Sequence, residues 1–229
     1  VRLGTWNCDG ELTKKWDVLG DLDADVLVIQ ECASSTVAEA EERGWRACWR
    51  GADPTGLAVV ARPGWELLAL SSVGDWSLPV RVSGPSTFTV VGFWGLPRRI
   101  AGCSYTQQAH LALKDFDRSP GDAVMAGDFN AYNHPDHTAF LEAMAARGMS
   151  SAFHVDRGEV RDEESEPTYF RGWVGPGRIH IDLIFVPSRW SIDAVTIGAY
   201  ERYVASRISD HVPVVATLEA PATDVVGGK

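Results

Sequence analysis

Short apolar runs, each ending abruptly in an amide, a carboxylate or a glycine, set the pattern of this chain. Val26-Leu27-Val28-Ile29 gives way to Gln30-Glu31, Ala123-Val124-Met125-Ala126 to Gly127-Asp128-Phe129-Asn130, and Val1-Arg2-Leu3-Gly4 to Thr5-Trp6-Asn7. Ile179-His180-Ile181 likewise precedes Asp182. Runs this short, bounded by turn formers, predict buried strands. Alternating segments punctuated by Gly and Pro predict further strands at 45–50, 57–62, 66–70 and 87–93, and others are expected at 178–186, 194–198 and 212–218. Trp16, Leu19 and Leu22 fall at helical spacing and predict a helix over 14–22. Further helices are expected over 35–43, with Ser35 or Thr36 as cap, and over 106–118 and 138–147. Two half-chains, each with strands and covering helices, predict an α/β fold of four layers, an α/β/β/α sandwich with two mixed sheets packed face to face. A single domain over 1–219 is expected, with a tail over 220–229 that frays.

Composition narrows the setting. The 229 residues suffice for one ordinary core, and no apolar run reaches the roughly 18 residues that span a bilayer. The start lacks a basic region followed by an apolar stretch, so a cytoplasmic location is expected, with export left open because the first residue is not Met. The 31 acidic against 21 basic side chains give a net charge of −10, opposite to the usual balance of proteins that grip duplex DNA by neutralising phosphates. Cys8, Cys32, Cys48 and Cys103 show no metal-finger spacing. Cys8 follows Asn7 and Cys32 follows Glu31, which leaves two readings: a pair of small buried thiols, or a disulfide if the protein is exported.

The chemistry lies at the strand ends. Glu31 closes a buried strand, where a lone carboxylate is costly unless paired or metal-bound. Asp128 and Asn130 stand two residues apart and share a face if the backbone there is extended. Asp210 and His211 are adjacent in Ser209-Asp210-His211-Val212-Pro213, and Asp182 lies on another strand, an arrangement that suits an imidazole oriented by a carboxylate. A carboxylate-rich set fits a hard divalent ion with retained waters better than zinc.

Taken in order, Thr5-Trp6-Asn7, Gln30-Glu31, Gly127-Asp128-Phe129-Asn130, Ile179-His180-Ile181-Asp182 and Ser209-Asp210-His211 resemble the motifs of the endonuclease/exonuclease/phosphatase superfamily, from Thr5 to Val215. The resemblance implies a deoxyribonuclease I-like sandwich that acts as a monomer and hydrolyses phosphate esters with Mg²⁺, Mn²⁺ being a substitute. It implies Glu31 as the principal metal ligand and Asp210 as a holder of the metal or of the attacking water. It further implies that Asp182 fixes the His211 ring, that Asp128 orients or deprotonates the water, and that Asn130 and Asn7 bind phosphate oxygens. Which of Asp128 and His211 takes the proton stays open.

Two departures bear on the substrate. Trp94 stands at the end of the 87–93 strand, where nucleases of the superfamily usually carry His or Tyr, and indole donates a hydrogen bond without supplying a proton. A water held by the metal, Tyr105 or His110 would then protonate the leaving oxygen; Trp94 would either stack on substrate or serve as core. His180 stands where Arg is frequent, to touch phosphate or to line the strand's far face, and Arg178 precedes it as a further contact to substrate. Arg43, Arg46, Arg50, Arg62, Arg81, Arg98, Arg99 and Arg171 could border the cleft, and Trp45, Trp49 and Trp173 could stack bases, solvated arginines and core tryptophans being the default reading. The acidic run Asp162-Glu163-Glu164-Ser165-Glu166 would repel a long polyanion if it overhung the site. The leading expectation is a metal-dependent nuclease on DNA or RNA. The alternatives are a phosphatase or phosphodiesterase for a small-molecule or lipid phosphate ester, and an inactive binding module on the same fold.

Overall fold

The structure is a computed structural model that describes residues 1–130, 135–173 and 178–221, without the side chains of residues 98, 99, 135, 136 and 178. The Arg98, Arg99 and Arg178 side chains, and the tail from residue 222, therefore lie outside the described residues. In chain order the strands are β1 (Arg2–Asn7), β2 (Val26–Cys32), β3 (Arg46–Ala52), β4 (Thr55–Ala61), β5 (Glu66–Ala69), β6 (Ser77–Ser83), β7 (Thr87–Trp94), β8 (Ala123–Asp128), β9 (Met149–Ser151), β10 (Tyr169–Phe170), β11 (Arg178–Ile179), β12 (Asp182–Pro187), β13 (Ser191–Ile197) and β14 (Val214–Glu219). The helices are α1 (Trp16–Asp21), α2 (Thr36–Glu42), α3 (Arg98–Ala101), α4 (Tyr105–Arg118), α5 (Pro135–Ala146) and α6 (Ala152–Arg157).

Two six-stranded sheets form, in the orders β13-β14-β1-β2-β4-β3 and β5-β6-β7-β8-β12-β9. Each is mixed, with a central parallel pair, β1–β2 in one and β7–β8 in the other, among antiparallel neighbours. The two-residue period of each strand sorts its side chains between layers. Leu3, Val26 and Val28 face Val90, Val124, Ala126 and Ile184 in the seam between the sheets. Leu27 and Ile29 instead pack outward with Trp16 and Leu19. Val91, Phe93 and Met125 pack outward on the other side against Ala109 and Leu113 of α4 and Phe140 and Met144 of α5. The four layers are thus helices, sheet, sheet and helices, as the sequence predicts.

The expected helices form with small shifts, and Ser104 caps α4 by a reciprocal capping box with Gln107. The expected strand over 178–186 is split in two. At the break, the Ile181 and Asp182 amides both donate to Thr168 Oγ1, at 3.0 and 3.1 Å, instead of continuing the ladder. β6, β9 and α6 escape the pattern reading. β6 contains Pro79, which argues against a strand; here Pro79 falls where the β5 ladder ends, past Ala69↔Val80, and its carbonyl accepts from Leu70 N at 2.9 Å. Cys8 and Cys32 are buried free thiols, with burial pushing Cys32 up to about 12 and Cys8 higher still. Among the described residues no helix is long and apolar enough to cross a membrane.

The acidic run after α6 turns onto its own cations. The Glu164 side chain is 5% exposed, and its Oε1 lies 3.1 Å from His154 Nε2 and 3.7 Å from Arg161, while Glu166 meets Arg157 at 2.7 Å. Burial alone would raise the Glu164 pKa, but the His154 hydrogen bond and the Arg161 charge overcome it and hold the carboxyl down at about 2. A carboxyl depressed in the folded state stabilises above its unfolded value of about 4.3 and loses that contribution as pH falls through its folded value. The melting temperature is therefore expected to fall between pH 4.5 and pH 2 more steeply in the wild type than in Glu164→Gln, as followed by circular dichroism. Parallel profiles would show that this pair does not stabilise the fold.

Candidate active site

Strand alternation brings the predicted residues to one end of the seam. Asn7 continues the inward series Leu3-Thr5, Asp128 the series Val124-Ala126, and Asp182 opens the series with Ile184 and Val186. All three are buried. Gly127 makes the approach of β7 to β8 possible here, because a Cβ on it would lie 1.8 Å from the Phe93 carbonyl oxygen.

Glu31 does not follow from alternation. Strict period two would send it outward with Ile29, but β2 is bulged between Gln30 and Cys32, and Glu31 has a left-handed φ of 63°. The bulge redirects the side chain so that Asn7 Nδ2 donates to Glu31 Oε1 at 3.0 Å and to Asp128 Oδ2 at 3.0 Å. Asn130 is also left-handed, at φ 49°, so the expected extended relation to Asp128 is replaced by a tight turn. Within that turn Asn130 N donates to Asp128 Oδ1 (2.9 Å), and Asn130 Nδ2 donates to Asp128 Oδ2 (2.9 Å) and to the Gly95 carbonyl (3.0 Å).

His211 arrives on a loop pinned to β1. Ser209 Oγ donates to the Asn7 carbonyl at 2.7 Å and accepts from His211 N at 3.0 Å, and Trp6 Nε1 donates to the His211 carbonyl. The His211 ring bonds Asp182 Oδ2 through Nδ1 at 2.9 Å, which leaves Nε2 4.0 Å from both Asp128 Oδ2 and Asp210 Oδ1. Burial opposes charge on this ring, and Asp182, Asp128 and Asp210 overcome it, so the imidazole is pushed upward. Burial pushes Asp128 upward against the pull of His211. Burial also raises Asp210, opposed by His211 and reinforced by Asp9 and Glu31.

Asp128, Asp182 and His211 each offer a ligand atom within 4.8 Å of the others and could hold a metal ion together. The fit is supported by Asp182 Oδ1, a buried carboxylate oxygen without a hydrogen-bond partner. Oxygen-rich donors, with Asp9, Glu31 and Asp210 raising the local negative charge, suit a hard cation.

Other expectations fare differently. Trp94 pairs in register with Asp128 and is half-buried beside the site. Tyr105 begins α4 near Gly95. His180 stays apart: it is buried, its Nδ1 lies 2.7 Å from the Glu166 carbonyl oxygen, and its ring packs 4.2 Å from Phe153. His110 packs edge-on against Phe140 at 5.8 Å. Trp45 is buried in core contact with Trp16, Trp49 donates to the Cys32 carbonyl, and Trp173 lies under Arg207. Three residues the sequence reading left unassigned complete the site: Asp9, Thr168 and Tyr169, whose ring packs on His211 with centroids 4.7 Å apart. Only the Pro-Thr-Tyr stretch before the Asp182 segment could have pointed to the last two.

A model of the endonuclease/exonuclease/phosphatase family matches residues 4–211. The chain is similar in structure to the 3′ phosphatase NExo from Neisseria, solved with a product DNA hairpin (TM-score 0.70, 19% identity, 96% of this chain and 99% of that one). It is also similar to TDP2 from D. rerio with a single-strand DNA product (0.73, 17%, 96% and 99%) and to an AP endonuclease from Archaeoglobus fulgidus (0.73, 15%, 96% and 100%). At these identities the likeness shows the fold. Comparison with curated protein sequences gives no match.

Thr168 is buried, and its hydroxyl serves two buried amides. Thr168→Val is expected to destabilise the protein by about 1–3 kcal/mol in urea unfolding, with Thr168→Ser recovering most of the loss. Equal midpoints for the Val and Ser variants would show that the hydroxyl is not what holds this junction.

Proposed function

The chain belongs to the endonuclease/exonuclease/phosphatase family, and from that premise we propose that it is a magnesium-dependent phosphodiesterase that cleaves nucleic acid, with manganese as a substitute ion. The observation that carries this reading is the Asn7 amide bound to Glu31 on one sheet and Asp128 on the other, beside the His211–Asp182 pair. Of the candidate donors, Glu31 and Asp210, near enough for their charges to interact, would hold the ion, while Asp128, Asp182 and His211, which could also group around one, keep the proton and phosphate roles below. A divalent ion bound there supplies positive charge against the phosphate and the leaving oxygen.

The protein's own groups do the rest. Three hydrogen bonds from Asn7 and Asn130 anchor Asp128, which accepts the proton of a water attacking phosphorus in line with the ester oxygen that leaves. Asp182 accepts from His211 Nδ1, favours the protonated ring and points Nε2 into the gap between Asp128 and Asp210. A phosphate oxygen placed in that gap receives a hydrogen bond from the imidazolium. Asn7 and Asn130 spend both Nδ2 hydrogens on Glu31, Asp128 and the Gly95 carbonyl, so their part is to hold the carboxylates in place, and the phosphate-binding role expected of them is not open to them in this arrangement. DNA as substrate rests on the relatives whose structures hold DNA products. A small phosphate ester is the second reading, favoured by the net charge of −10.

The test is cleavage of supercoiled plasmid and of labelled single-stranded and duplex oligonucleotides with magnesium, beside EDTA. Removal of the ion is expected to abolish cleavage, and His211→Ala to slow it by about 10²–10⁴-fold. Glu31→Gln is expected to raise the magnesium concentration needed for half-maximal rate. Cleavage that survives EDTA or proceeds at full rate in His211→Ala would defeat the mechanism, and turnover confined to small esters would move the assignment to the second reading.

A further inference from the structure

Next to Glu31, a cavity of about 780 Å³ opens between the ends of the two sheets. That volume lies in the range of sites for small ligands, about 300–1,000 Å³. One wall is the β3–β4 hairpin with Arg50; the other is built from Trp76, Trp94 and Leu96, with Ile100 of α3 at the rim. The two tryptophans are structural neighbours, because Trp94 N donates to the Trp76 carbonyl at 3.0 Å. Trp94 also pairs with Asp128 across the β7–β8 ladder, so its wall of the cavity continues into the catalytic cluster.

Three features describe what this cavity takes. Its walls are largely aromatic and aliphatic, and Ile100, 63% exposed, stands at the rim within reach of a bound group. Arg50 is the cation among its described lining residues, and it is tied across the mouth to Asp75 at 3.1 Å, so it joins the two walls. The cavity touches Glu31 at one end, so a group inside it is connected to a phosphate at the site by a short link. We propose that this cavity binds a planar aromatic group attached to the scissile phosphate, and that its source is the nucleobase at an unpaired strand end. This rests on the phosphodiesterase reading above and narrows its substrate. A base that is stacked and paired within a duplex cannot lay its face against the tryptophan wall, whereas a terminal or single-stranded base can. Indole faces suit every base, because stacking depends on the π-face rather than on an edge pattern.

Steady-state hydrolysis of single-stranded oligonucleotides that carry either a base or an abasic sugar next to the scissile phosphate tests the proposal. A fully paired duplex and bis(p-nitrophenyl) phosphate run alongside. Quenching of 2-aminopurine at the same strand position, measured in EDTA, reports stacking without turnover. The expected result is a KM about tenfold lower with the base than without it, and 2-aminopurine quenching that is weakened in Trp94→Ala. Trp94 packs partly into the core, so Ile100→Asp, altered at an exposed rim position, provides the second variant and is expected to raise KM for the base-bearing strand alone. Leu68→Ala, exposed on β5, is the control and leaves both strands unchanged. Equal KM for base-bearing and abasic strands, both cleaved, would overturn the cavity assignment while the phosphodiesterase stands. Turnover of the aryl ester alone, still sensitive to Ile100→Asp, would support an aromatic pocket but overturn the strand end as its source. Quenching without hydrolysis of any ester would uphold the pocket and overturn the enzyme.

Discussion

Asn7 stands where the seam between the sheets meets water, and its amide nitrogen donates to Glu31 and to Asp128 at once. The two carboxylates belong to different sheets, so this one side chain ties the halves of the sandwich together at their functional end. A buried carboxylate such as Asp128 is tolerated only when its oxygens are hydrogen-bonded, and Asn7 and Asn130 supply those bonds. The geometry of the site thus depends on uncharged amides that hold like charges near one another.

That crowding has an electrostatic consequence. Burial raises Asp210, and the charges of Asp9 and Glu31 raise it further against the pull of His211. His211 offsets part of the charge, anchored by Asp182 behind it and by Tyr169 stacked on its face. A divalent cation completes the balance in the proposed enzyme. In the acidic loop, Glu164 and Glu166 are engaged by His154, Arg161 and Arg157, so these two carboxylates do not add their charge to the cleft unopposed.

The same end of the molecule joins polar and apolar surfaces. Trp94 takes the strand-end place beside Asp128, and with Trp76 it walls a cavity rather than presenting a proton donor. Its half-burial reconciles the two readings open for it, since one part of the indole packs on the seam core and another lines the cavity. The chemistry and the recognition surface are therefore built from consecutive positions of one ladder, Trp94 paired with Asp128 and Gly95 bonded to Asn130.

The layers, most strands and the strand-end place of Asn7, Asp128 and Asp182 were legible in the chain itself, because a two-residue period and short apolar runs are local properties. The motif order likewise gave the family. What local pattern could not give was set by long-range contacts. Glu31 reaches the site only through the bulge against β4, and Asn130 through a left-handed turn. His180 lies one turn of the alternation from Asp182 yet packs on Phe153, because Thr168 captures the intervening amides and breaks the strand. The Trp76–Trp94 wall needs β6, whose proline hid it, to be laid beside β7. Alternation along one strand can be read from its residues, but a bulge, a broken ladder or a shared cavity exists only once a second strand supplies the partner.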